Sequence, residues 1–116
     1  MDKGEIKTDF SFLQGEISAL LLYGSHAKGT ATPRSDIDIC IVAPGCKNRF
    51  ALLRKVWQKM GNKYDARIFE DLPLYLKADI MNNHIIIWAN NLPDLYEYFY
   101  HFRKLWIEQK HRQEIG

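Results

Sequence analysis

Gly24 and Ser25, followed by the acidic pair in Asp36-Ile37-Asp38, are the residues whose types and spacing could do chemistry together. Glycine lets a backbone approach a ligand closely, and a serine hydroxyl beside the N–H groups of a helix start can hold a phosphate. Asp36 and Asp38 stand two apart in a run rich in β-branched residues. On a strand both carboxylates would point to one face, with Cα atoms roughly 6.5–7 Å apart. Carboxylates that close repel unless a proton or cation intervenes. Hard oxygen donors suit Mg²⁺, which keeps water and is completed by substrate phosphates. An isolated Asp-x-Asp reads as ordinary polar/apolar alternation, but a Gly-Ser pair directly after an apolar strand turns it toward nucleotidyl transfer.

Two-metal phosphoryl chemistry needs a further carboxylate near the attacking group. Asp65 is the best candidate, because in Tyr64-Asp65-Ala66-Arg67-Ile68-Phe69 the alternation puts Asp65 and Arg67 on one face and Ala66 and Ile68 on the other. Glu70 and Asp71 are rivals, but they fall at the strand end, where Asp71 suits a helix cap. Lys28 lies one turn into the short helix, where it either reaches a phosphate or is simply solvated. Ser35 either supports the triphosphate or caps the turn before the acids. His26 stands next to the cradle, and a lone histidine there reads as structural or exposed. No Ser/His/Asp or Cys/His set is apparent.

These residues need elements to position them. Residues 17–23 form a short apolar run stopped by Gly24, the pattern of a strand buried on both faces. Ser25 to Gly29 would open a short helix, and Thr30 to Arg34, with Pro33, a turn into a strand over residues 36–43. Ile37, Ile39 and Ile41 would face away from the two acids. After Pro44-Gly45, Phe50, Leu53, Val56, Trp57 and Met60 recur at helical spacing until Gly61. Tyr64 to Phe69 reads as a third strand, and a helix with Asp71 as its cap runs to about Asn82. Ile85 to Trp88 supplies a fourth strand, and a long helix from about Pro93 to Arg112 follows an Asn90-Asn91 turn. Alternating strands and helices predict one α/β domain over residues 1–116. The final helix carries more apolar and aromatic surface than one stripe needs. Part of it should pack on the sheet and the remainder should meet a partner.

Composition narrows the classes of function. A chain of 116 residues leaves no room for a second domain that grips a bulky substrate. With 47% hydrophobic and 26% charged residues it is of globular type, and no apolar run approaches the ~20 residues that cross a bilayer. Met1-Asp2-Lys3-Gly4-Glu5 carries no secretion signal, so a cytoplasmic location is expected. Cys40 and Cys46 fit neither a zinc knuckle nor a disulfide framework and read as reduced thiols. A formal charge of +2 does not imply nucleic acid, and Lys104, Lys110, His111 and Arg112 suit the C-terminal end of a helix. Direct nucleic-acid binding is not expected.

Gly24-Ser25-x10-Asp36-x-Asp38, with the third acid at Asp65, resembles the signature of the minimal nucleotidyltransferases of the DNA polymerase beta superfamily. The resemblance implies a nucleotidyltransferase fold: a mixed sheet of about four strands flanked by helices. It implies Mg²⁺, two ions by the family's chemistry, and ATP as substrate. Residue by residue, it makes Asp36 and Asp38 metal ligands and Asp65 the acid that assists an acceptor hydroxyl and completes the metal site. Gly24 and Ser25, with Lys28 and Ser35, would bind the nucleotide. The family often has arginine where Lys28 stands, which would replace a bidentate phosphate contact by a point charge. Stand-alone domains of this kind resemble antitoxins that pair with a helical HEPN ribonuclease toxin, bind it and transfer AMP to one of its side chains, which implies a hetero-oligomer. The toxin's own Arg-x4-6-His motif is absent, since Arg103 to His111 is too widely spaced. Two other readings stay open: a module that neutralises its partner by occlusion alone, and a transferase acting on a small molecule or an RNA end.

Overall fold

All five residues of β1 (Ala19–Tyr23) are buried, which sets this wholly apolar strand in the interior of the sheet. In the computed structural model, which describes the backbone of residues 2–115 and the side chains of residues 2–112, β1 is flanked by β2 (Asp38–Val42) and β4 (Ile85–Ala89), both antiparallel to it. β3 (Asp65–Ile68) adds parallel to β2, giving the order β3-β2-β1-β4. The sheet is therefore mixed, as the resemblance implies.

Among the described residues, five α-helices cover it: α1 (Lys3–Asp9), α2 (Ser25–Lys28), α3 (Arg49–Met60), α4 (Leu74–Asn82) and α5 (Leu92–Ile115). Period-2 alternation splits the sheet into two apolar faces. Leu20, Leu22, Ile39, Ile41, Ala66 and Ile68 pack with Ile6, Phe10, Leu52 and Val56 on the side of α1 and α3. Leu21, Cys40 and Val42 pack with Phe69, Ala78, Ile80, Leu95 and Phe99 on the side of α4 and α5.

Several boundaries differ from the sequence expectation for local reasons. The second strand begins at Asp38 and not at Asp36, because its partner β1 ends opposite, at Tyr23, where Gly24 turns the chain away. Asp36 and Ile37 thus have no antiparallel neighbour, although the Asp65 N–H still donates to the Ile37 carbonyl at 3.0 Å and prolongs the parallel ladder. Asp71 does not cap α4. It lies in a 3-10 turn (Phe69–Asp71) and accepts from Arg49 Nε at 2.6 Å, while Pro73 precedes the helix without a side-chain cap. Asn91 does cap: its Oδ1 accepts from the Asp94 N–H at 3.0 Å.

The sequence reading passes over α1. Asp2 accepts from the Gly4 N–H at 2.8 Å and starts it, and Ile6 buries into the core. Asp9 then ties the helix to the foot of β3 by accepting from Tyr64 Oη at 2.6 Å and Lys63 Nζ at 2.7 Å. Both cysteines are free thiols, with Cys40 buried and Cys46 half-buried. Among the described residues, no helix is long and apolar enough to cross a membrane.

Candidate active site

Three strands bring Tyr23, Asp38 and Asp65 into one row: Tyr23 pairs with Asp38 across β1 and β2, and Asp38 with Asp65 across β2 and β3. Directly opposed residues share a face, with Cβ atoms about 4.5–5.5 Å apart. The row lies at the end of the sheet on the α4 and α5 side, since Leu21 and Cys40, two residues away on their strands, belong to that face. The parallel β2–β3 pairing thus sets Asp65 beside Asp38, although 27 positions separate them in sequence (65 − 38).

The cradle stands against the same row. Gly24 has φ +71°, and a Cβ built on it would collide with the Asp38 carboxylate. Glycine is required there both by backbone conformation and by the acid's position. The chain then enters α2 at Ser25, and a helix this short leaves its first N–H groups without intrahelical partners. His26 Nε2 lies 3.4 Å from the Ser35 carbonyl and joins the cradle to the loop that delivers the acids. Ser35 Oγ accepts from the Thr32 N–H at 2.9 Å and closes the turn before the acids. Lys28 Nζ lies 3.2 Å from Asp79 Oδ2 on α4 and so is engaged away from the acids.

Asp36 is exposed just ahead of the strand, whereas Asp38 and Asp65 are half-buried. Partial burial, and then the nearby charges of Asp65 and Asp36, push the Asp38 carboxyl above the ordinary carboxylate range. Burial foremost, with Asp38 next, pushes the Tyr23 hydroxyl up as well. Arg67 partly offsets this charge, with Nε 3.5 Å from Asp65 Oδ1. Glu70 is not part of the site, because Ala43 N–H donates to its Oε1 at 2.9 Å and Tyr98 Oη to its Oε2 at 2.8 Å.

Among the described residues, no three His, Cys, Asp or Glu side chains converge closely enough to hold a metal ion. The donor chemistry nevertheless fits a hard divalent cation. The donors are carboxylates, one is partly desolvated among like charges, and Mg²⁺ characteristically takes one or two protein carboxylates and fills its octahedron with water and phosphate oxygens. The acids open to solvent. A cavity of about 350 Å³ lined by Ser18, Val42, Asn90 and Tyr98 lies at the opposite end of β1 and β2.

Sequence reasoning missed one neighbour of the acids and left another without a role. Tyr23 hid as the last residue of an apolar strand, and only the register shows that it faces Asp38. Arg67 was visible as the residue two after Asp65, but its approach to that carboxylate needs coordinates.

A four-stranded mixed sheet with a glycine-led cradle and acids at one end is the architecture of a nucleotidyltransferase. The family model described as nucleotidyltransferase domain matches residues 3–87, and the chain belongs to that family. It is 46% identical over 97 residues, 84% of this chain and 75% of the other, to a Methanocaldococcus jannaschii protein named "Putative protein adenylyltransferase". The fold is similar to a crystal structure of a toxin-antitoxin with AMP-PNP (TM-score 0.77, 19% identity, 99% of this chain and 95% of the other). It is also similar to a chain of the complex of a tri-AMPylated Shewanella oneidensis HEPN toxin with its MNT antitoxin (TM-score 0.68, 17% identity, 97% and 91%). At such identities the structural likeness speaks for the fold.

Proposed function

We propose that this nucleotidyltransferase is a Mg²⁺-dependent protein adenylyltransferase, a minimal domain over residues 1–116 that transfers AMP from ATP to a hydroxyl of a HEPN-type helical toxin and so acts as its antitoxin. The observation that carries the reading is the row of Asp38 and Asp65 with Gly24 pressed against Asp38, which sets a phosphate cradle beside carboxylates. The named relatives support the acceptor class: one bears the name of a putative protein adenylyltransferase, and another is a chain from a complex of an AMPylated HEPN toxin with an MNT antitoxin.

In this reading Gly24 and Ser25 receive the triphosphate at the start of α2, with Ser35 holding the loop and Lys28 available to a phosphate on release from Asp79. Asp36, Asp38 and Asp65 would hold the metal. Bound Mg²⁺ would neutralise the triphosphate and make the acceptor hydroxyl more acidic. Asp65, at the β3 side of the row, accepts the proton of the acceptor hydroxyl as its oxygen attacks the α-phosphorus and pyrophosphate leaves toward the cradle. The exposed Tyr96, Tyr100 and Ile107 of α5 offer an apolar surface for the partner.

The same exposed surface favours a second reading, neutralisation by binding alone. Incubating the chain with a HEPN-type toxin partner, ATP and Mg²⁺ separates the two by intact mass. The first reading predicts an AMP-sized gain on the partner that is lost with Asp36→Asn/Asp38→Asn. No gain, together with protection by that double variant in cells, would leave occlusion as the function.

A further inference from the structure

Lys28, the cation expected at the cradle, is held by Asp79, whereas Arg67 stands among the acids. Asp65 and Arg67 are two apart on β3 and share its face, with Nε 3.5 Å from Oδ1. In the parallel register Asp38 pairs with Asp65 and Cys40 with Arg67, so Arg67 lies on the sheet face of the acids, one step along β3 from the row. β3 is an edge strand, and the Arg67 side chain is 53% exposed and able to swing. A planar guanidinium can bridge oxygens of two carboxylates, and its charge is permanent.

We infer that Arg67 is the built-in counter-cation of the metal-free site: it orients Asp65, offsets the Asp38 and Asp65 charges, and is displaced when a divalent cation enters. The inference rests on the reading of these acids as metal ligands. Arg67 is thus a positioning residue with a cost attached, because the contact that steadies the empty site competes with the metal. Loss of its charge should loosen the metal-free protein and tighten the metal, two effects that a merely structural residue would not combine. The ion pair is half-exposed, a class worth little in isolation, so the change in affinity should be modest, roughly two- to fivefold, and larger at low ionic strength.

The test is a titration of the full chain with Mn²⁺ alone, without nucleotide, followed by calorimetry or electron spin resonance and paired with thermal melts in chelator. Arg67→Gln should lower the metal-free Tm and bind Mn²⁺ more tightly than wild type. Arg67→Lys, which keeps the charge without the fork, should fall between the two and guards against a folding defect in the first variant. Arg49→Gln, which removes a charge paired with Asp71 elsewhere on the surface, should leave Mn²⁺ affinity unchanged. Unchanged or weaker Mn²⁺ binding by Arg67→Gln and Arg67→Lys, with tight binding by wild type that Asp38→Asn abolishes, would overturn the role of Arg67 alone. A wild-type chain that binds no Mn²⁺, or binds it independently of Asp38, would overturn the metal-site reading and this inference with it.

Discussion

The Asp38 carboxylate occupies the space that a Cβ at Gly24 would fill, so the cradle and the central acid are built against one another. The contact explains the sequence order: an apolar strand must end on glycine where the antiparallel neighbour begins on aspartate. Gly29, with φ +76° at the other end of α2, has no such neighbour.

Gly24→Ala and Gly29→Ala should therefore differ. Gly29→Ala forces alanine into the left-handed α region at about 1 kcal/mol, whereas Gly24, at φ +71° and ψ −151°, sits in a region essentially reserved for glycine, and its alanine must also displace Asp38. Chemical denaturation should give a loss of about 1 kcal/mol for Gly29→Ala and clearly more for Gly24→Ala, with Mn²⁺ binding impaired only in the latter. Equal losses would mean that the contact with Asp38 carries no energy.

Asp38→Asn should raise the Tm of the metal-free protein by a few degrees at neutral pH. The folded state holds this carboxyl above its usual range, so its charging costs stability as pH rises from the unfolded to the folded pKa, and the cost persists above that. Thermal melts in chelator should show the gap between variant and wild type closing as pH falls below the carboxylate range. A variant less stable than wild type at neutral pH would contradict the account of a carboxylate penalised by burial and then by its acidic neighbours.

Asp9 has the opposite sign. Hydrogen bonds from Lys63 and then Tyr64 hold its carboxyl below the usual range, so its contribution is complete above the unfolded pKa and is lost as pH falls through the folded one. Urea unfolding of Asp9→Asn should show a deficit of about 1 kcal/mol at neutral pH that shrinks toward zero in acid. A deficit that does not change with pH would assign the effect to packing of α1.

On α5, Phe99 is buried while Tyr100 is 62% exposed. Phe99→Ala should cost about 3–5 kcal/mol, and Tyr100→Ala less than about 0.5 kcal/mol. If the exposed side is the partner surface, Tyr96→Ala/Tyr100→Ala should weaken partner binding by calorimetry without lowering Tm.

What was legible in the sequence was what short-range pattern controls. Gly24 after an apolar run, the isoleucines alternating with Asp36 and Asp38, and Gly61 ending α3 each carry a local physical signal, and the strand-helix order followed. What required coordinates was set by distant partners. Asp71 looked like a cap but is taken by Arg49 across 22 positions (71 − 49). Lys28 looked free for phosphate but pairs with Asp79 on α4. α1 was invisible because its stability comes from Ile6 in the core and from the Lys63 and Tyr64 contacts to Asp9, with little amphipathic pattern of its own.

The most direct test of the central claim is a crystal structure of the chain with Mn²⁺ and a non-hydrolysable ATP analogue, read by anomalous scattering. The account predicts manganese peaks between the carboxylates of Asp36, Asp38 and Asp65, with the triphosphate on Gly24 and Ser25. Manganese and nucleotide bound away from these acids, for example in the cavity beside Ser18 and Asn90, would contradict it.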